Sequence, residues 1–253
     1  MKLLSAAGML AISAAMLATS TYAWFTMSKE VSALGMNVTA QAESGLVISN
    51  SDKLVYGASA TASNSTKVSL KPGSTADFVD WYHSQSSDAA TANTMSVDDP
   101  DIGYTEGVID ENYVKYQFYI RSSSPSAITA SSLDVKSVSV TGATTHQELS
   151  KSLRVGVEIG NDKFIYAPVD NDTTAYKVWN GTDITTTTVT PIASTTVSKA
   201  TGTTTIPANT EDGVLANVYV WYEGEDAQCI TNNIQATPED LTVSVVFTYS
   251  EPT

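Results

Sequence analysis

At 253 residues the chain is long enough to bury a proper core, as one large β-sandwich or two small domains. Its 27 Asp and Glu against 13 Lys and Arg give a net charge of −14, with no basic cluster to displace counterions, which excludes nucleic acid as a partner and leaves proteins, cell-wall material or cations. One cysteine, Cys229, excludes an internal disulfide, so the core alone must hold the fold, and Cys229 itself reads as a small buried apolar side chain.

The first element is hydrophobic. After Lys2 no charge occurs until Lys29, and the small residues Thr21 and Ala23 stand just before Trp24. A positive start, an apolar run and small residues at a cut form an export signal, with cleavage between Ala23 and Trp24 and a secreted or cell-surface destination. The same stretch, residues 1–27, is long enough to span a bilayer as a retained helix. Ser5, Ala6, Ala7, Gly8, Ser13, Ala14 and Ala15 would suit its close packing against other helices.

Strands follow, marked by apolar residues at period two. Residues 28–44 form an N-terminal segment in which Met36, Val38, Ala40 and Ala42 alternate with Asn37, Thr39 and Gln41. From residue 45 to 253 the pattern predicts a sandwich domain. Gly45–Ser49 is a short strand, and in Tyr113–Arg121 the residues Val114, Tyr116, Phe118 and Ile120 share one face. Leu153, Val155, Val157 and Ile159 share another, as do Val218, Val220 and Tyr222, and Leu241, Val243, Val245, Phe247 and Tyr249. In Leu133–Thr141 the apolar phase switches between Val135 and Val138, which predicts a β-bulge near Lys136–Ser137. Helical signals are few: a capping box of Thr145 and Glu148 opens a short helix over His146–Ser152, and Asp77–Ser84 reads as a turn or two. The Thr-rich stretch 182–205 reads as a long hairpin or a surface excursion. The sum is an all-β fold, an antiparallel two-sheet sandwich of jelly-roll kind, preceded by the N-terminal hydrophobic helix.

Chemistry-bearing residues are sparse. The two histidines, His83 and His146, lie in no nucleophile–base–acid motif, and the carboxylates show no glycosidase-like pairing, so no enzyme activity is expected. No cofactor is expected either. The acidic loop Asp98, Asp99 and Asp101 is the candidate calcium site, followed by Asp170 and Asp172, although Asx-rich turns also close without metal. Trp81-Tyr82 and Trp221-Tyr222 could present rings to a sugar or a protein, as in a surface adhesin or carbohydrate-binding module, although core packing explains most such residues.

The run Thr21, Tyr22, Ala23, Trp24 and Phe25, then Lys29 and Glu30, then a strand led by Gly35, resembles the start of the TasA/camelysin-like secreted filament proteins of Gram-positive bacteria. Their export signals are processed by a SipW-type signal peptidase. The segments Tyr113–Ser122 and Val218–Cys229 resemble the long core strand and a C-terminal element of related surface proteins. The resemblance implies a jelly-roll subunit of an extracellular or biofilm-matrix fibre. Such subunits form a homopolymer by donor-strand exchange, with Met36, Val38, Ala40 and Ala42 filling a neighbour's sheet. A short, proline-free strand near a terminus is free to leave its domain, and an open sheet edge is a template for it. An ordinary first strand paired within its own domain is the other reading of these residues. A pilin-like subunit, with the retained helix in a filament core, is the alternative route to a fibre; only through that helix would the protein meet a membrane.

Overall fold

The computed structural model describes residues 31–63, 68–84, 104–107, 109–141, 150–167, 175–179, 182, 184–191, 197–202, 205–224, 226, 229 and 240–251. Eighteen strands run through them: β1 Val31–Ala42, β2 Leu46–Asn50, β3 Ser59–Ser63, β4 Val68–Leu70, β5 Tyr82–Ser84, β6 Tyr104–Glu106, β7 Tyr113–Ser122, β8 Ile128–Thr129, β9 Ser132–Thr141, β10 Leu153–Ile159, β11 Asp162–Ala167, β12 Ala175–Trp179, β13 Ile184–Thr188, β14 Thr190–Pro191, β15 Ser198–Ala200, β16 Thr205–Ile206, β17 Val214–Tyr222 and β18 Asp240–Ser250.

Two six-stranded sheets dominate. The first runs β15-β9-β18-β1-β3, with β4 also on β1, and the second runs β14-β11-β10-β17-β7-β2. Their facing sides share one buried core, to which β1, β9 and β18 contribute from one sheet and β2, β7, β10 and β17 from the other. The protein is therefore an all-β sandwich. Between the two main sheets the chain crosses from β1 to β2, β2 to β3, β4 to β7, β7 to β9, β9 to β10, β14 to β15, β15 to β17 and β17 to β18.

The period-two pattern sets these faces. In β7 the residues Val114, Tyr116, Phe118 and Ile120 are buried while Lys115, Gln117, Tyr119 and Arg121 are half-buried on the other side. The phase change in β9 is a bulge: Val246 of β18 faces Ser137 and Phe247 faces Val135, so Lys136 has no cross-strand partner.

Three expectations change. Asp77–Ser84 is not helical. The Thr75 hydroxyl accepts from the Phe78 amide at 3.0 Å, Asp77 Oδ1 accepts from the Val79 and Asp80 amides at 2.9 Å each, and Phe78 takes φ +61°, so the side chains close a bend that feeds β5. The stretch 182–205 is not a separate hairpin. Its β13 pairs with the preceding β12, β14 adds to β11 and β15 adds to β9, so the excursion stitches onto both sheets. Of the candidate adhesin contacts, Trp81 and Trp221 are both buried, together with Phe78, Tyr219 and Ile165 in a second cluster, while Tyr82 is half-buried on β5. Trp81 stacks on Tyr113 with ring centres 3.8 Å apart, and both faces of β17 are covered, so neither Trp221 nor Tyr222 points to water. Gly156 makes this cover possible, because a Cβ there would stand 2.6 Å from the Phe78 ring.

The capping box and most of His146–Ser152 lie outside the described residues; Ser150 is helical and a turn at 151–152 leads into β10.

Candidate functional site

The N-terminal strand β1 sits inside the first sheet, between β18 on one side and β3 and β4 on the other. Residues Asn37–Gln41 pair antiparallel with β3, and Val31–Ala33 pair antiparallel with β4. On the opposite side β1 runs parallel to β18, with Val38 beside Val243, Ala40 beside Val245 and Ala42 beside Phe247. This is the single parallel pairing in that sheet among the described residues. A parallel neighbour cannot come from a tight hairpin, so nothing local ties β1 to β18.

Over Asn37–Ala42, what holds β1 is mostly backbone. Val38 and Ala40 are fully buried and Ala42 packs against the core, while Thr39 faces out and shares a 3.2 Å hydroxyl contact with Thr61. The facing positions on β3 are also small, Ala60 and Ala62. The apolar stripe of Val38, Ala40 and Ala42 contributes about 4 kcal/mol at ordinary burial values. By contrast Leu241, Val243, Val245 and Phe247 of β18 are all buried and contribute roughly twice that. Two ladders on a thin hydrophobic stripe make a strand whose contacts a second copy of the same segment could reproduce in full. Met36 lies within β1, and its side chain falls outside the described residues.

The turn leaving β1 was not legible in the sequence. Gly45 takes φ +91°, Leu46 N–H donates to Glu43 O at 3.0 Å, and Glu43 N–H donates to Phe247 O at 3.1 Å. The Glu43 carboxylate is paired with Lys136, the extra residue of the β9 bulge. The bulge thus turns a lysine onto the start of this turn, and only the apolar phase change hinted at it. Hydrogen bonds from Lys136 first and then Thr248 hold the Glu43 carboxyl below the ordinary value of 4.5. A lowered folded value means that this contribution is present above the unfolded value and is lost as pH falls through the folded one. Amide protection factors across β1, with the intrinsic pH dependence of exchange divided out, should therefore fall as pH drops below about 4.5. Glu43→Gln should show lower protection already at neutral pH and no such acid step; an acid step of unchanged size in that variant rules out a role for the Glu43–Lys136 contact.

The remaining sites expected from sequence do not gather here. Ala23, Trp24 and the hydrophobic helix of residues 1–27 lie outside the described residues, as do Asp98, Asp99, Asp101, Asp170, Asp172 and His146. Among the described residues no three His, Cys, Asp or Glu side chains are grouped to hold a metal, and no helix is long and apolar enough to cross a membrane. His83 is half-buried on β5. Cys229 is fully buried and its thiol is pushed up by that burial, which keeps it protonated and a poor nucleophile.

A buried ionic cluster went unread in the sequence. Arg154 of β10 pairs with Asp226 just beyond β17, Trp221 Nε1 donates to Glu223 Oε2 at 3.0 Å, and the Arg154 guanidinium lies 3.7 Å from the Tyr176 ring centre. It clamps the turn after β17 onto the start of β10. Arg154 in the apolar run Leu153–Val157 was the available signal, since a charge there must be buried and paired or solvent-facing.

No protein-family model, curated protein or solved structure matches this chain.

Proposed function

We propose that the protein is an exported structural subunit of an extracellular filament or biofilm-matrix fibre, without catalytic activity, that polymerises when β1 leaves its own sheet and completes a neighbour's. The observation that carries this reading is the seat of β1: a central strand, parallel to β18, held by two ladders and, among its described side chains, by the small inward residues Val38, Ala40 and Ala42. Withdrawing it leaves unpaired edges on β18 and on β3, a slot of one strand's width that a second copy's β1 fills with identical bonds. Exchange of identical contacts between copies costs little once the turn at Glu43–Gly45 straightens, so the net gain is the added contact between subunits. The frequent changes of sheet along the chain fit a jelly-roll-like wrapping for this subunit. The resemblance of the run Thr21–Gln41 to the TasA/camelysin-like proteins points the same way and supports a destination outside the cell.

Deletion of residues up to Gln41 is expected to abolish fibre growth in electron micrographs. Because the truncated chain must expose its slot, a second arm uses the full chain. Excess synthetic peptide of sequence Val31–Ala42 should fill free slots and stop elongation, whereas a peptide with Val38 and Ala40 replaced by Asp should not. Fibres that grow normally from the truncated chain, or elongation indifferent to the native peptide, overturn the exchange.

A further inference from the structure

The aromatic cluster on the outer face of the second sheet holds more than packing requires. The Trp81 indole stacks on Tyr113 with ring centres 3.8 Å apart, meets Trp221 edge-on at 5.3 Å and lies 5.8 Å from Tyr219. Tyr113 and Tyr219 are themselves 6.2 Å apart. Indoles and phenols are, after thiols, the side chains that most readily give up a single electron, and here two of each lie within contact of one another. Tyr113 is half-buried, whereas Trp81 and Tyr219 are 2% and 3% exposed and Trp221 is fully buried. The group thus leads from the solvent side of the cluster into its interior.

At the inner end a base is already in place. Tyr219 O–H donates to Glu158 Oε2 at 2.9 Å, and Asn217 Nδ2 donates to the same oxygen at 2.8 Å and steadies it. Burial first, and then this hydrogen bond, keep the Tyr219 phenol protonated at rest. A phenol that loses an electron becomes a strong acid, and a carboxylate within hydrogen-bond reach can take its proton in the same event. The Lys115 ammonium stands 5.2 Å from the Tyr219 ring centre, which disfavours a positively charged ring, so electron and proton must leave together. An indole is harder to oxidise than a phenol that can shed its proton, so the missing electron settles on the tyrosine and not on Trp81. We propose that Tyr219 is a redox-active tyrosine: a one-electron oxidation at Tyr113 passes through the stacked Trp81 to Tyr219, whose proton moves to Glu158 Oε2, leaving a neutral phenoxyl radical. The external oxidant is reduced by one electron. An enediol or thiol reductant later returns that electron, and Glu158 returns the proton. The radical sits beneath Phe78, whose ring stacks on Tyr219 at 4.9 Å, and is kept from the tyrosines of a second copy. With 12 tyrosines in the chain, phenoxyls left at the surface would weld copies together through dityrosine bonds. This role is independent of strand exchange at β1.

The test oxidises the full chain with photogenerated tris-bipyridine ruthenium(III), persulfate taking the electron from the excited dye, and freeze-traps it for electron paramagnetic resonance. The native chain should show a phenoxyl spectrum. Tyr219→Phe, which removes a single oxygen, should lose it. The same variant should give several-fold more covalent dimer on a denaturing gel, because the oxidation stays on accessible tyrosines. Glu158→Gln keeps a polar side chain beside the phenol but accepts no proton, and should form the radical on the order of a hundredfold more slowly. A phenoxyl signal undiminished in Tyr219→Phe, a native rate in Glu158→Gln, or no radical in the native chain overturns the proposal.

Discussion

Arg154→Met is expected to lower the unfolding free energy by about 3–5 kcal/mol, a large share of the roughly 5–15 kcal/mol of a typical domain. The side chain is 1% exposed and that of Asp226 is 7% exposed, so neither charge has water to fall back on. The guanidinium donates to Asp226, to Lys151 O at 2.7 Å and to Leu153 O at 2.9 Å, and stacks on Tyr176. Met replaces the volume but strands a buried carboxylate and two carbonyls. The surrounding turn depends on the same pair: Asp226 N–H donates to Glu223 O, Cys229 N–H donates to Asp226 O, and Glu223 N–H donates to Ser152 O. The cost comes from leaving one charge alone, not from any large net value of the pair. Arg154→Met combined with Asp226→Leu should therefore recover most of the loss. Urea denaturation of the two variants against the native chain decides it. A single variant within 1 kcal/mol of native, or a double variant worse than the single, contradicts the account.

The contrast between Arg154 and its strand neighbours shows what the sequence carried and what it could not. Leu153, Val155, Val157 and Ile159 were legible because alternation reports the face turned to the sandwich core. Alternation also implies that the other face is wet, and here it is not. The Thr75–Trp81 bend lies over the outer face of β10 and β17, so Gly156, Tyr219 and Trp221 are buried there too. That bend comes from a segment some eighty residues away, which no local period encodes. The same limit applies to β1. Its strand character was plain in Met36–Ala42, but its parallel seat beside β18 joins the two ends of the chain and had no local mark. The bulge at Lys136 was legible as a slip of phase. Its pairing with Glu43 was not, because a bulge predicts that a side chain is redirected without saying toward what.

If β1 passes between subunits as proposed, Val38→Asp should stop fibre growth outright, and it separates the two roles that the proposed exchange gives each subunit. Val38 is fully buried between Val243 of β18 and Ala62 of β3, an apolar slot with no cationic partner beside it in either register. A carboxylate placed there must be buried unpaired or stay protonated, at a cost of several kcal/mol, whichever subunit's sheet it enters. The variant thus carries a strand that no slot will accept, while its own slot, formed by β18 and β3, is untouched and accepts a native strand. A mixture should behave as a chain with terminators: a minority of Val38→Asp subunits docks onto growing ends, offers nothing onward and shortens the fibres as its fraction rises. Gln41→Asp, at the exposed position on the other face of β1, should leave fibre length unchanged. If Val38→Asp is merely diluted out, with native-length fibres in every mixture, its slot does not accept strands. If it forms fibres alone, β1 is not the strand that passes between subunits.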